Sequence, residues 1–169
     1  YAVLKDASKY YLARMDNAAA FAASFWDDIS NLPEIANAKF FAIDQQYGYL
    51  QYATSNKIYQ YDVDTKQTTV MKDYGSRQIT VLKHNNGVAA PPASVLTGNN
   101  PAQDYLRLRY LPVVYGLLCA TYDPASPNNS GKIDVFKVPQ FNATYETYYS
   151  FESGLGKIVD LTHIEHPQN

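Results

Sequence analysis

LQYAT at residues 50–54 and NKIYQYDV at residues 56–63 are two strand-like segments that this chain uses twice. They recur in the same order as LLCAT at residues 117–121 and GKIDVFKV at residues 131–138. Both copies are rich in aromatic, aliphatic and β-branched residues, which favour a pleated, half-buried strand. A pair of strands repeated in order indicates a modular β architecture, because each copy is a unit that its neighbour must cover.

The segments around each copy complete a four-stranded unit. The first unit has strands predicted at residues 39–44, 49–54, 57–63 and 67–73, and the second at residues 78–84, 113–122, 132–138 and 144–151. Antiparallel meanders of about 40 residues that repeat in register are typical of β-propeller blades. The sequence therefore predicts an all-β fold of antiparallel four-stranded meanders, part of a β-propeller with about two full blades plus partial blades. A β-sandwich is the alternative fold.

The predicted organisation treats residues 1–169 as one partial β-propeller. Its parts are a partial blade at 1–16, an irregular or helical insert at 17–38, a blade at 39–75, a blade at 76–152 with a long loop at 85–104, and a closing strand and tail at 153–169. A ring needs roughly four to eight blades. We therefore expect a C-terminal fragment, with the remainder of the propeller supplied by an upstream chain segment.

Four strand phrases carry a resemblance to a known family. They are FFAID at residues 40–44, GYLQYA at 48–53, NKIYQYD at 56–62 and the ending GKIVDLT at 156–162. Over roughly residues 39–165, the chain resembles the propeller-like C-terminal region of the PKD-like family lipoproteins of Bacteroidetes. The resemblance implies a periplasmic or outer-membrane, cell-surface location behind a lipid-anchored N-terminus and PKD-type modules. It implies no catalytic or binding residues.

Composition and charge narrow the function classes. The formal net charge is -2, which gives no electrostatic case for nucleic acid. No apolar run is long enough for a transmembrane segment, and the chain shows no targeting signal. The single cysteine, Cys119, forms no intrachain disulfide and is expected to be a small buried hydrophobe.

The motifs of common catalytic and metal sites do not occur in the sequence. A Gly-x-Ser-x-Gly nucleophile elbow and the Asp-rich calcium loop are both missing. His163 and His166 would point to opposite faces of a strand, which makes a poor metal pair. We therefore predict no catalytic residues, metal or cofactor, and we favour a protein that is not an enzyme. A polysaccharide-acting hydrolase or lyase fragment and a purely structural scaffold remain the alternatives.

Binding is the more economical hypothesis. The chain has 16 tyrosines, and flat aromatic faces beside short polar side chains suit sugar recognition. The candidate ligand-binding residues lie at or beside predicted loops: Trp26, Tyr47, Tyr49, Tyr122, Asn99 and Asn128. The sequence thus predicts a non-catalytic binding module of a bacterial cell-surface or periplasmic lipoprotein that binds a glycan, peptide or partner protein through loop ends. The loops at residues 85–104 and 123–131, where the second copy departs from the first, are the expected functional sites.

Overall fold

The computed structural model describes residues 1–14, 25–44, 48–85, 116–137, 147–152 and 156–161. In this part of the chain the regular structure is strand, apart from one 3-10 helix at Ile35–Asn37. The strands are β1 Ala2–Asp6, β2 Lys9–Arg14, β3 Phe25–Asp28, β4 Phe40–Asp44, β5 Tyr49–Ala53, β6 Lys57–Asp62, β7 Thr68–Asp73, β8 Gln78–Asn85, β9 Gly116–Tyr122, β10 Lys132–Lys137 and β11 Thr147–Glu152. The all-β prediction is confirmed.

The strands form three antiparallel sheets, each built from strands that follow one another in sequence. A three-stranded sheet has the order β1-β2-β3, a first meander has the order β4-β5-β6-β7, and a second meander has the order β11-β10-β9-β8. The chain divides into two compact units, Tyr1–Asp73 and Tyr74–Asn169. The three-stranded sheet and the first meander belong to the first unit, and the second meander to the second unit.

The repeat in the sequence is also a repeat in strand register. In the first meander Tyr52 pairs with Tyr59, and in the second meander Cys119 pairs with Asp134. These are the same positions of the two sequence copies. Because register decides which face every side chain meets, the two meanders place equivalent residues on equivalent faces.

The core of the first unit lies between its two sheets. Tyr10, Leu12 and Ile29 meet Leu50 and other residues of the first meander in one buried cluster. The opposite face of the first meander is also buried, with Ala42, Gln51, Ile58, Gln60 and Met71 each less than a tenth exposed. Burial on both faces explains why β5 and β6 read as nearly continuous runs rather than as strict alternation.

The second meander buries mainly the face that carries Leu117, Cys119, Thr121, Asp134 and Phe136. All five residues are at most 1% exposed. Two of them are polar, so their hydrogen bonds must be made inside the protein. The partners of Asp134 are described with the candidate site below.

The described residues refine the predicted boundaries in two places. Within the predicted insert at 17–38, residues 25–28 form β3, which pairs with β2 from Arg14–Phe25 to Tyr11–Asp28. Within the predicted closing strand, residues 157–161 have no strand pairing. Side-chain contacts hold that segment instead, since Lys83 Nζ lies 2.5 Å from Asp160 Oδ1 and 2.7 Å from the Leu161 carbonyl oxygen. The predicted long loop lies outside the described residues, apart from Asn85.

Candidate functional site

A groove of about 480 Å³ opens at one end of the first meander. It is lined by Glu34, Ala36, Asn37, Ala38, Lys39, Thr54, Ser55 and Asn56. Small-molecule sites occupy roughly 300–1,000 Å³, so the space suits one small ligand or a short stretch of a chain. We call this feature the polar groove, because amide, hydroxyl and charged side chains supply most of its lining.

Two short backbone segments form the walls of the polar groove. On one side, the 3-10 helix leads into β4, and the Lys39 amide donates to the Ala53 carbonyl oxygen at 2.8 Å. On the other side, the turn between β5 and β6 is closed by two hydrogen bonds. Thr54 N donates to the Lys57 carbonyl oxygen at 3.0 Å, and Lys57 N donates to Thr54 Oγ1 at 3.2 Å. The walls are therefore fixed by backbone bonds before any ligand arrives.

Glu34 sits at the rim of the polar groove in a left-handed conformation, with φ of 52°. This conformation costs a residue other than glycine about 1 kcal/mol or more, and such strain is found preferentially at functional sites. The Glu34 carboxylate lies 3.3 Å from Lys57 Nζ. It also accepts a hydrogen bond from the Tyr59 hydroxyl. Both contacts hold the strained residue in place.

A stacked pair of tyrosines anchors the segment that carries Glu34. The rings of Tyr52 and Tyr59 lie 5.0 Å apart and 10° from parallel. Tyr52 donates its hydroxyl hydrogen to the Pro33 carbonyl oxygen at 2.8 Å. Burial raises the pKa of Tyr52, and burial followed by the bond to Glu34 raises the pKa of Tyr59 to about 12. Both hydroxyls therefore stay protonated at neutral pH and act as donors.

The charges of the polar groove are unevenly paired. Glu34 and Lys57 form an ion pair, so their charges offset one another. Lys39 is exposed and has no side-chain hydrogen bond or ion pair with any residue that the structure describes. Among the described residues, the lining therefore presents one positive charge without an ion-pair partner, Lys39, beside neutral polar groups.

None of the described residues that line the polar groove is one of the predicted ligand-binding residues. Tyr49 is half-buried at the start of β5, the end of that strand farthest from Thr54. Trp26 lies on β3, where its backbone pairs with Ala13; its side chain is outside the described part. Tyr47 and Asn99 lie outside the described residues altogether.

The remaining two predicted residues, Tyr122 and Asn128, lie at the β9–β10 end of the second meander, and each is approached by the segment at residues 156–157. Tyr122 ends β9, and Lys157 Nζ lies 5.6 Å from the centre of its ring. Asn128 is exposed in the β9–β10 loop, where Gly156 packs so closely that a Cβ there would lie 3.4 Å from the Asn128 Cα. The segment at residues 156–157 thus packs beside both the Tyr122 ring and the Asn128 backbone.

Sequence reasoning missed the polar groove itself. Ser55 and Asn56 were identifiable as a turn, and Glu34 as part of a loop after a proline, but neither pattern marks a ligand. The residues predicted from the sequence are mostly aromatic, whereas amide and hydroxyl side chains supply much of the groove lining. One signal was present in the sequence. Thr54, Ser55 and Asn56 are small polar residues at a turn, and Lys39 stands just before the neighbouring strand β4.

Two other polar clusters of the described residues are engaged within their own units. Tyr61 donates to Asp27 Oδ2, and Lys66 Nζ lies 2.7 Å from the same oxygen. In the second meander, Tyr74 and Ser150 donate to the buried Asp134 carboxylate at 2.8 Å and 2.6 Å.

Within the described ranges, no group of three or more His, Cys, Asp or Glu side chains is placed to hold a metal ion. In the same ranges, no helix has the length and apolar character needed to cross a bilayer. No protein-family model, curated protein or solved structure matches the chain.

Proposed function

We propose that this chain is a non-catalytic binding module, built from β-propeller-type blades, that holds its ligand in the polar groove. The observation that carries the proposal is the groove itself, with a strained Glu34 fixed at its rim. Sheets ordered as sequential four-stranded meanders are consistent with blades. Binding at hairpin and strand-entry segments follows the general rule that a rigid β scaffold presents recognition residues on its loops.

The state of three described carboxylates favours binding over catalysis. An acid–base catalyst needs a carboxyl group within reach of the substrate and free to exchange a proton. Glu34 is held by Lys57 and Tyr59, and Asp27 by Tyr61 and Lys66. Asp134 is only 1% exposed. These groups fix the structure rather than meet a substrate.

The lining of the polar groove favours a glycan over a peptide. Asn37, Thr54, Ser55 and Asn56 offer amides and hydroxyls, which exchange hydrogen bonds with sugar hydroxyls. Its apolar lining consists of Ala36 and Ala38, which gives no deep pocket for a large peptide side chain. The resemblance to lipoproteins supports a cell-surface or periplasmic location, where extended glycans are the abundant polymers.

A glycan array followed by isothermal titration calorimetry tests this proposal. We expect at least one oligosaccharide to bind, and Asn37→Ala and Ser55→Ala each to weaken binding by about fivefold to tenfold, the size of one lost hydrogen bond. Asn31→Ala, which removes an exposed asparagine of the first unit that does not line the groove, serves as the matched control and should leave affinity unchanged. Absence of binding to any glycan, or binding that is insensitive to both groove variants, would contradict the proposal.

A further inference from the structure

We infer that the polar groove recognises an anionic group, a carboxylate or sulfate carried on a sugar chain, and that Lys39 is the residue that binds it. This inference rests on the proposed function and names the substrate class for the same groove. It starts from the uneven charges of the lining, where Glu34 is offset by Lys57 and Lys39 is left without a described partner. A buried or partly buried anion needs such a cation to offset its lost hydration.

The second meander shows what a cation does at the entry to a first strand when the protein supplies acceptors. Arg77 immediately precedes β8, as Lys39 immediately precedes β4. Arg77 donates from Nε to Thr121 Oγ1 at 3.1 Å and from Nη2 to the Ser130 carbonyl oxygen at 2.7 Å. Ser130 belongs to the long β9–β10 loop. The chain itself therefore occupies that end of the second meander.

The described part of the first meander has no acceptors equivalent to those that the long loop provides. Its β5–β6 connection is a tight turn at Ser55 and Asn56, closed by the two bonds between Thr54 and Lys57. No described carboxylate or carbonyl oxygen accepts from the Lys39 side chain. Where the second meander is filled by its own loop, the first meander keeps an open groove with a cation at its edge. A ligand anion would accept from Lys39 as the Ser130 carbonyl oxygen accepts from Arg77.

The lining also decides the kind of anionic ligand. Lysine is a compact point charge without the two-pronged geometry of arginine, so it binds one oxygen of an anion rather than clamping two. Asn37 and Ser55 remain available in the groove for neutral hydroxyls. One charge contact beside neutral hydrogen-bonding groups matches a sugar chain with one acidic substituent per residue better than a densely charged phosphate ligand.

Calorimetry with three probes tests the inference: a polyuronate oligosaccharide, its methyl-esterified neutral counterpart, and a sulfated oligosaccharide. We expect the uronate or the sulfated chain to bind about tenfold more tightly than the neutral chain, which is the size of one charge-assisted hydrogen bond. Lys39→Gln should remove that preference without changing binding of the neutral chain, and Lys39→Arg should retain most of it. Raising the salt concentration should weaken only the charged probes.

The matched control is Lys5→Gln, which removes an exposed lysine of the first unit that does not line the groove. It should leave the preference for the charged probe intact. Equal binding of neutral and charged chains, unchanged by Lys39→Gln, would overturn the inference and leave the proposed function standing. Failure of all glycans would overturn both. Binding of an acidic peptide with the same Lys39 dependence, in the absence of glycan binding, would overturn the glycan assignment.

Discussion

The two meanders share one register but stabilise it with hydrogen bonds of opposite direction. In the first, the paired Tyr52 and Tyr59 are donors, and the acceptors lie in the segment before β4. In the second, the equivalent pair is Cys119 and Asp134, and Asp134 accepts from Tyr74, which lies in the segment before β8, and from Ser150 on β11. The difference teaches that the repeat conserves geometry and not chemistry, because either partner can supply the hydrogen.

The β5–β6 end of the first meander and the β9–β10 end of the second meander also differ. The second meander closes its end with the β9–β10 loop, whose Ser130 accepts from Arg77. The first meander has a tight turn there and leaves the polar groove. The same end of the repeated unit therefore makes internal contacts in the second meander and is open to solvent in the first. Three experiments test how far the two meanders differ.

Removing the acceptor at the centre of the second meander should have the largest effect. Asp134→Ala takes away the acceptor of Tyr74 and Ser150 in a site that is 1% exposed. We expect the free energy of unfolding to fall by about 3–5 kcal/mol, because the buried Tyr74 hydroxyl loses its acceptor, the Ser150 bond is lost and a cavity remains. Urea denaturation followed by circular dichroism measures the change.

A control variant and a thiol-reactivity measurement make that experiment specific. Asp64→Ala removes an exposed carboxylate from a turn and should change stability by less than about 0.5 kcal/mol. The thiol of Cys119 is buried, and burial raises its pKa to about 12, so it should resist thiol reagents in the native protein. In Asp134→Ala the thiol should react faster. A loss of under 1 kcal/mol with an unreactive thiol would show that Asp134 is not central to the sheet.

The cations that precede the first strand of each meander should differ in their importance to stability. Arg77→Ala removes side-chain bonds to Thr121 and Ser130, and we expect a loss of about 1–2 kcal/mol. Lys39→Ala removes an exposed side chain with no described partner, and stability should change by less than about 0.5 kcal/mol. Thermal unfolding of both variants gives the comparison. Equal losses would mean that Lys39 has a structural role and would count against the open groove.

Much of the fold was readable from local sequence, and the candidate site was not. The repeated strand phrases predicted β5, β6, β9 and β10 because β-branched and aromatic residues favour a sheet whatever surrounds them. The polar groove, in contrast, joins Glu34 to Ser55 through the pairing of β4 with β5. That proximity depends on register and on turn geometry, which single-sequence patterns specify poorly.

The tyrosines also show that local sequence does not reveal which residues face a ligand. Their number suggested a binding surface, yet Tyr52 and Tyr59 are stacked in the core, and Tyr49 lies at the far end of β5 from the groove. An aromatic residue in a strand carries the same local signal whether it faces a ligand or another ring. Burial separates the two cases, and burial is set by the packing of sheets that are distant in sequence.

The smallest expected effect concerns the tyrosine donors of the first meander at alkaline pH. The pKa of Tyr59 is raised to about 12 in the folded protein, mainly by burial, against about 10 in an unfolded chain. Its stabilising contribution is therefore complete below pH 10 and is lost as the pH rises from about 10 to 12, since the unfolded state releases the proton first. Tyr59→Phe should cost about 1 kcal/mol at pH 7, through loss of the bond to Glu34, and distinctly less at pH 11. Urea unfolding of both proteins at the two pH values measures this. A cost that is the same at both values would mean that Tyr59 ionises normally and that the donor role assigned to the first meander is wrong.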